Sequence, residues 1–391
     1  MDRILIPLFL LAALVAILAF KKRRKQITAS VVSLVFCCLL IELFLRIFSP
    51  QINESTGLFE TDKILGWRFI PSTTGSIVYQ GEARHYIKTN SLGFRDDEPE
   101  PGKDVIMVLG DSFVANIAVK HDEVFTEVME QELENASVMN FGVSGYAQTQ
   151  EYLILERFAK QFHPKLVFVV LYVRNDFLDN IGGYWLFPRP KAFIDPNGEV
   201  QILIPMDAED PKRHSMPMLE LHRRMHLFHF VQNKWSNIRK GMKKPSGGVH
   251  RPAPGTPPEL YLCKREFDEA TELMFKTTEA LIMKMDRFGK ERNLPVVFVI
   301  APTIYQVRRE QWNSYLRTLG LDRNDYDPAL PGKRLMKLAE KEGLSMLDLL
   351  PSLGAKRGQG EELYFSNEQH WNKHGNEVVA RLLLDFMDAR E

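Results

Sequence analysis

The segment from Val105 to Phe113 reads VIMVLGDSF and decides the fold. Its first five residues are apolar and mostly β-branched, and Gly110 ends the run, as expected of a buried strand that leads into a helix. Three other runs share this character, and they lie at Val138–Phe141, Leu166–Tyr172 and Val296–Ile300.

The stretches between these runs have helical length and periodicity. They include Glu123–Glu134 and Gln148–Phe162, and the same alternation continues through a strand at Ser345–Leu349 to a closing helix at Lys373–Met387. Strands that alternate with helices predict a parallel sheet covered on both faces. The fold class is therefore α/β, a three-layer doubly wound parallel sheet.

The N-terminus predicts a transmembrane helical hairpin. Ile4–Phe20 and Ile27–Phe48 are apolar and long enough to span a bilayer, and the basic block Lys21–Lys25 joins them. The positive-inside rule puts that block in the cytoplasm and the rest of the chain on the other side. A cleaved signal peptide is the alternative, but its positive charges would precede the apolar stretch. The prediction is a membrane-anchored protein whose soluble part is periplasmic or extracellular.

Three regions follow from these patterns: a two-span hairpin at 1–49, a polar segment with short strands at 50–104, and an α/β domain at 105–391. The short strands are predicted at Ser76–Gln80 and His85–Thr89. A proline-rich, locally basic stretch at about 182–258 interrupts the alternation and is interpreted as an insertion. Within it, Leu219–Lys244 fits a solvated amphipathic helix better than a helix lying on an anionic membrane.

Composition narrows the function classes. Lys plus Arg and Asp plus Glu each number 50, so net charge gives no reason to expect a nucleic-acid partner. The chain has 3 cysteines, Cys37, Cys38 and Cys263, which build neither a disulfide framework nor a zinc site. No carboxylate and histidine spacing indicates a metal ligand set, so no metal or other cofactor is expected.

Four positions at strand ends or next to a helix carry residue types that can take part in catalysis. Ser112 follows the first strand, Gly142 ends the second within the segment NFGVSGY, Asn175 follows the third, and His370 precedes the last helix. Ligand-binding groups of doubly wound sheets gather at the carboxyl ends of the strands. Each residue alone also fits an ordinary turn, cap or structural role, but the four in this order predict one site.

This chain resembles the SGNH, or GDSL-like, hydrolase superfamily, whose blocks supply a serine, a glycine, an asparagine and a histidine in this order. The resemblance implies that Ser112 is the nucleophile and His370 its general base. It also implies oxyanion donors from the Ser112 and Gly142 backbones and the Asn175 side chain. The motifs LGW at 65–67 and NSLGFR at 90–95 are similar to a membrane-tethered bacterial subgroup. This resemblance implies a bacterial inner-membrane protein with a periplasmic soluble part.

The block around the histidine departs from the family pattern. The family has an aspartate three residues before the histidine to hold the imidazole, whereas this chain has Asn367 there and Glu368 next to it. Both are candidates for the orienting role, since loss of that carboxylate in a Ser-His-Asp system costs about 10⁴ in turnover.

The resemblance and the predicted location together favour a membrane-anchored serine esterase or O-acyltransferase. Its expected partners are the lipid bilayer and an ester substrate, which is an acylated envelope carbohydrate with acetyl as the expected acyl group, or another ester. The sequence identifies neither the acyl acceptor nor a protein partner. The alternative is a catalytically attenuated carbohydrate-binding or assembly subunit, which Asn367 favours.

Overall fold

The computed structural model describes residues 24–48, 58–78, 84–183, 189–204, 227, 258–366 and 369–390. The chain divides into two compact units, one formed by residues 1–53 with 214–244 and the other by 54–213 with 245–391. The second unit contains the central sheet and every described residue predicted for the site.

A five-stranded parallel sheet forms the centre of the larger unit. Its strands are β5 (Asp104–Gly110), β6 (Ala136–Gly142), β7 (Leu166–Tyr172), β10 (Val296–Ala301) and β11 (Ser345–Asp348), in the spatial order β11-β10-β7-β5-β6. Numbered by appearance within the sheet, this order is the flavodoxin-like 2-1-3-4-5. The predicted doubly wound α/β fold is confirmed.

The larger unit also contains three antiparallel hairpins. They are formed by β1 (Phe59–Asp62) with β2 (Gly66–Phe69), β3 (Thr74–Val78) with β4 (Arg84–Lys88), and β8 (Lys191–Ile194) with β9 (Val200–Leu203). The first two lie in the segment predicted to contain short strands. The third lies in the stretch interpreted as an insertion, where the sequence predicts no strand.

Helices account for most of the remaining described chain. They are α1 (Arg24–Phe48), α2 (Ser112–Ala115), α3 (Phe125–Glu132), α4 (Gln148–Phe162), α5 (Asp176–Asn180), α6 (Pro258–Cys263), α7 (Glu269–Lys290), α8 (Ile304–Val307), α9 (Arg309–Thr318), α10 (Leu330–Glu342), α11 (Leu350–Gly358) and α12 (Lys373–Asp388). Helix α4 has the predicted bounds, and α12 extends one residue beyond them.

Alternate residues of each central strand enter different cores, because successive side chains of a strand point to opposite faces. Met107 and Leu109 join a core completed by helices α4, α7 and α10. Ile106 and Val108 join a second core completed by α3, α11 and α12. Both faces are therefore dry, which explains why the strands are nearly uninterrupted apolar runs.

The described part of the smaller unit is helix α1 and Leu227. Residues 28–45 of the helix have a mean hydropathy of 2.4, so the helix is long and apolar enough to cross a bilayer. A signal sequence near the N-terminus would meet the same two criteria. The Glu42 carboxylate accepts the Leu227 N–H at 2.8 Å. The first predicted span, Ile4–Phe20, and most of the basic stretch Leu219–Lys244 lie outside the described residues.

Candidate active site

Ser112 lies at the carboxyl end of β5, where the chain turns directly into helix α2. Asp111 begins this turn as N-cap, and its Oδ1 accepts the Phe113 N–H at 2.8 Å. The side chain of Phe113 is fully buried, whereas Ser112 keeps partial exposure. The tight turn therefore presents the serine hydroxyl at the edge of the sheet that faces solvent.

His370 meets Ser112 from a loop 258 residues later in the chain. Its Nε2 lies 2.7 Å from Ser112 Oγ, a hydrogen-bond distance, and both residues are partly exposed. A neutral imidazole at this position can accept the hydroxyl proton and make the serine oxygen a nucleophile. The pair therefore has the geometry of a serine activated by a base.

Aromatic side chains hold the histidine loop in place. Phe113 lies 4.9 Å from the His370 ring, 4.0 Å from the Tyr172 ring and 4.7 Å from the Trp371 ring, centroid to centroid. The Tyr172 hydroxyl also donates to Gln369 Oε1 at 3.0 Å. These contacts restrict the imidazole plane, and β7, helix α2 and the loop before α12 each contribute to them.

Two buried asparagines join the serine segment to the histidine loop. Asn116 Nδ2 donates to the Trp371 carbonyl at 3.1 Å and to Asn376 Oδ1 at 3.2 Å. Asn376 Oδ1 also accepts the Phe125 N–H at 3.1 Å. Since neither asparagine is exposed, these bonds fix the spacing of the two loops without competition from water.

Gly142 packs against the serine segment through its missing side chain. A Cβ at this position would lie 2.3 Å from the Ala115 nitrogen and 2.6 Å from Val114 Cβ, so only glycine fits. The Gly142 N–H donates to Asn140 Oδ1 at 2.9 Å. This bond engages the N–H that the sequence assigns to the oxyanion, and the geometry favours a spacer role for Gly142.

Gly145, three residues further on, is a candidate oxyanion donor that the sequence does not predict. It sits in a turn closed by the bond from the Tyr146 N–H to the Val143 carbonyl at 3.0 Å, and its φ is 81°. Among the described residues its N–H has no hydrogen-bond partner. The glycine itself could have indicated this turn in the sequence, because the third residue of such a turn has a positive φ, which favours glycine.

The N-terminal part of the larger unit supports this turn. Trp67 Nε1 donates to the Ser144 carbonyl at 3.0 Å, and the Tyr146 hydroxyl donates to the Trp67 carbonyl at 2.5 Å. The reciprocal pair ties β2 to the loop after β6. The 50–104 segment is thus in direct contact with the site.

Asn175 faces carboxylates in this structure. Its Nδ2 donates to Asp179 Oδ2 at 3.0 Å and to Asp176 Oδ1 at 3.2 Å. To donate to an oxyanion beside Ser112, the amide must give up one of these partners. The Arg189 guanidinium compensates part of the local negative charge, since its Nη1 lies 3.1 Å from Asp179 Oδ1.

Three buried carboxyl groups near Ser112 have raised pKa values. Burial raises the pKa of Asp111 to about 6, and the Phe113 N–H and the nearby His370 oppose that rise. Burial also raises the pKa of Asp176 and of Glu151 well above their ordinary values, and charge on Asp111 adds to both shifts. Low dielectric surroundings disfavour the charged form of each group, so Asp176 and Glu151, whose pKa values are raised most, favour the protonated form.

Asn367 and Glu368 lie outside the described residues. Their candidacy for orienting His370 therefore stays a prediction from the sequence.

One group of potential metal ligands occurs among the described residues. The ligand atoms of Asp97, His121 and Glu127 lie within 4.8 Å of one another. The sequence gives no hint of this group, because its members come from three separate segments. It belongs to the charged surroundings of Arg95, and the serine–histidine pair makes its contact without it.

One protein-family model matches the C-terminal third of the chain. Residues 260–391 match the family model described as an SGNH hydrolase-like domain, acetyltransferase AlgX, a stretch that includes His370 and leaves Ser112 outside. No curated protein matches the chain.

Several solved structures are similar to this chain at low identity. An acetyl xylan esterase is 12% identical, with 72% of this chain and 98% of the esterase covered and a TM-score of 0.39. A lipolytic protein of the G-D-S-L family from Veillonella parvula is 12% identical, with 72% and 96% covered and a TM-score of 0.36. A lipase/acylhydrolase from Enterococcus faecalis is 13% identical, with 74% and 97% covered and a TM-score of 0.36.

Proposed function

Residues 260–391 match an SGNH hydrolase-like family model, and on that premise we propose that the chain is a membrane-anchored serine esterase or O-acyltransferase of the SGNH type. The observation that carries the proposal is the 2.7 Å contact between Ser112 Oγ and His370 Nε2. A hydroxyl is a poor nucleophile unless a base within hydrogen-bond reach takes its proton. The acetyltransferase in the name of the matching family adds support for an acetyl group as the acyl group.

The first half of the reaction forms an acyl-serine. Ser112 Oγ attacks the ester carbonyl carbon while His370 Nε2 accepts the hydroxyl proton, giving a tetrahedral intermediate with a negative oxygen. His370 then returns the proton to the departing alcohol oxygen as the ester C–O bond breaks. No metal or other cofactor enters these steps.

The second half uses a different acceptor. Water or a sugar hydroxyl gives its proton to His370 and attacks the acyl-serine, and Ser112 leaves with that proton restored. Hydrolysis and transfer differ only in this acceptor, so both follow from one site. An acylated envelope carbohydrate suits a site on the periplasmic side, which the basic block Lys21–Lys25 favours.

For the oxyanion, we propose the Ser112 and Gly145 N–H groups, with Asn175 joining when its amide leaves a carboxylate. The Gly142 N–H is already engaged by Asn140 Oδ1 at 2.9 Å, which is why Gly145 takes its place in the proposal. Preorganised donors aimed at the developing charge are worth about 10²–10³ in turnover each. Asn367 or Glu368 is proposed to hold the second imidazole nitrogen.

The test is covalent labelling of the full chain in detergent with a fluorophosphonate probe, followed by release of acetate from acetylated oligosaccharides. We expect labelling and acetate release in the parent and loss of both in Ser112→Ala. Ser314→Ala is the matched control, because that serine is exposed on α9. An unlabelled parent, or equal labelling of Ser112→Ala, contradicts the proposal, and the unlabelled parent would favour a non-catalytic carbohydrate-binding subunit.

A further inference from the structure

The motif NSLGFR at 90–95 has no role in the chemistry described above, yet it ends in a fully buried arginine. The motif builds its own turn: Asn90 Oδ1 accepts the N–H groups of Leu92 and Phe94 at 3.1 and 3.0 Å. Gly93 adopts a φ of 83° at the bend. Phe94 then packs into the core, with its ring 4.7 Å from the Phe141 ring. The turn and this anchor together fix the direction of the next residue.

Arg95 points at the end of the nucleophile helix. Its Nη1 donates to the Ala115 carbonyl at 2.8 Å and also to the Asn116 carbonyl, and its Nη2 donates to the Val119 carbonyl at 2.7 Å. Helix α2 has only 4 residues, so no further helical turn follows to donate to the Ala115 carbonyl at its end. The guanidinium replaces that missing turn.

A short helix needs such support. One turn fixes several backbone dihedrals for a single hydrogen bond and is unstable alone. Asn140 Nδ2 covers the preceding carbonyl, that of Val114, at 2.8 Å. The carbonyls of three successive residues that end the nucleophile segment are therefore held by side chains from distant parts of the chain.

We propose that Arg95 is a positioning residue that sets the place of Ser112 relative to His370 by capping the nucleophile helix. The inference rests on the proposed function. A planar fork with five donors can bridge three carbonyls, whereas a lysine ammonium is a point donor on a flexible stem. Glu127 supplies nearby negative charge to this buried cation, and Asp96, on the same turn, binds the Asn140 N–H at 3.0 Å through Oδ2.

The experiment measures the second-order rate of fluorophosphonate labelling of the full chain, well below the unfolding temperature of each variant. Arg95→Met should slow labelling by about 100-fold, since a displacement of about 1 Å at a reacting group has that effect. Arg95→Lys should recover part of the rate, because it keeps a cationic donor. Arg334→Met is the matched control: that arginine makes four hydrogen bonds to Glu272 and Glu279 between α7 and α10 and should leave the rate within about twofold.

A second readout separates this inference from the proposed function. Amide hydrogen exchange of residues 113–119 should speed up at least about tenfold in Arg95→Met and stay unchanged in Arg334→Met. If the parent is not labelled, the proposed function fails, and the exchange result alone decides whether Arg95 holds the segment. The inference is overturned if folded Arg95 variants label and exchange like the control, or if neither Arg95→Met nor Arg95→Lys folds, because Arg95 would then be purely structural.

Discussion

At the scale of single residues, the buried carboxyl of Glu151 keeps its proton in the folded protein. Its Oε2 accepts from Gln148 Nε2 at 3.3 Å, while its Oε1 is buried and has no hydrogen-bond partner among the residues that the structure describes. A charged carboxylate in this position would be expensive, which is why burial raises its pKa well above the ordinary 4.5. The folded protein therefore keeps a proton that the unfolded chain releases.

This difference predicts a pH dependence of stability. Above pH 4.5 the unfolded chain ionises at this position while the folded protein stays protonated, so folding stability falls as pH rises. The slope for one proton is at most about 1.4 kcal/mol per pH unit. The glutamine in Glu151→Gln cannot ionise and keeps the shape of the side chain. The difference between the unfolding temperature of this variant and that of the parent should therefore grow between about pH 5 and about pH 8.

Thermal unfolding of the full chain at several pH values checks this expectation. Glu266→Gln provides the control, since Glu266 is exposed and its replacement removes a carboxyl group without affecting the core. A constant difference between Glu151→Gln and the parent over the whole range would show that Glu151 is ionised in the folded protein, contrary to the prediction.

At the level of elements, the contact between β6 and the nucleophile helix leaves no room for a side chain. Gly142→Ala would put a methyl group 2.3 Å from the Ala115 nitrogen, which is backbone and cannot rotate away. We expect destabilisation of about 1–3 kcal/mol or more, and a slower labelling of Ser112 because helix α2 must shift. Measurements of unfolding temperature and labelling rate test both effects.

Gly354→Ala is the control for this glycine. Gly354 lies inside helix α11, and a Cβ there meets nothing within 4 Å. Alanine is the better helix former, so this variant should be unchanged or more stable by up to about 1 kcal/mol. Equal stability of the two variants would contradict the spacer role of Gly142.

The sequence predicts the elements well where burial is complete. The strand Leu166–Tyr172 and the helix Gln148–Phe162 have their predicted bounds, because the strand is a continuous apolar run and the helix has a clear period. The hairpin of β8 and β9 is not predicted, since its short strands of mixed polarity lie in a proline-rich stretch. Helix α7 is not predicted either, although Asp268 is a readable N-cap whose side chain accepts the Thr271 N–H at 2.7 Å.

In the candidate site, the sequence predicts the positions of the main residues but not their hydrogen-bond partners. Strand-end reasoning brings Ser112 and His370 to one edge of the sheet, because the carboxyl ends of parallel strands share that edge. Hydrogen-bond partners depend on side-chain directions that no local pattern encodes. The engagement of Gly142 by Asn140, of Asn175 by two aspartates and of the Ala115 carbonyl by Arg95 could not be derived from the sequence for this reason.

At the scale of the whole molecule, positive and negative charges are equal in number, but a block of positive charge lies near the N-terminus. The block KKRRK at 21–25 directly precedes an apolar stretch that helix α1 contains, and such a block resists translocation across a membrane. An active site that modifies an envelope carbohydrate must be on the far side of that membrane. The proposed function and the proposed topology therefore depend on each other.

We predict that the larger unit is extracytoplasmic, because five positive charges retain the 21–25 block in the cytoplasm. Alkaline phosphatase fused after Glu391 should be active, and a fluorescent protein that matures only in the cytoplasm should be dark. Replacing the five basic residues by glutamine is the matched change, and it should lower phosphatase activity and raise cytoplasmic fluorescence, since it removes the charge that sets orientation. The mass of the mature protein distinguishes a retained hairpin from a cleaved signal peptide, as cleavage would remove the first apolar segment. Fluorescence without phosphatase activity in the parent would place the serine site in the cytoplasm and exclude an exported carbohydrate as its substrate.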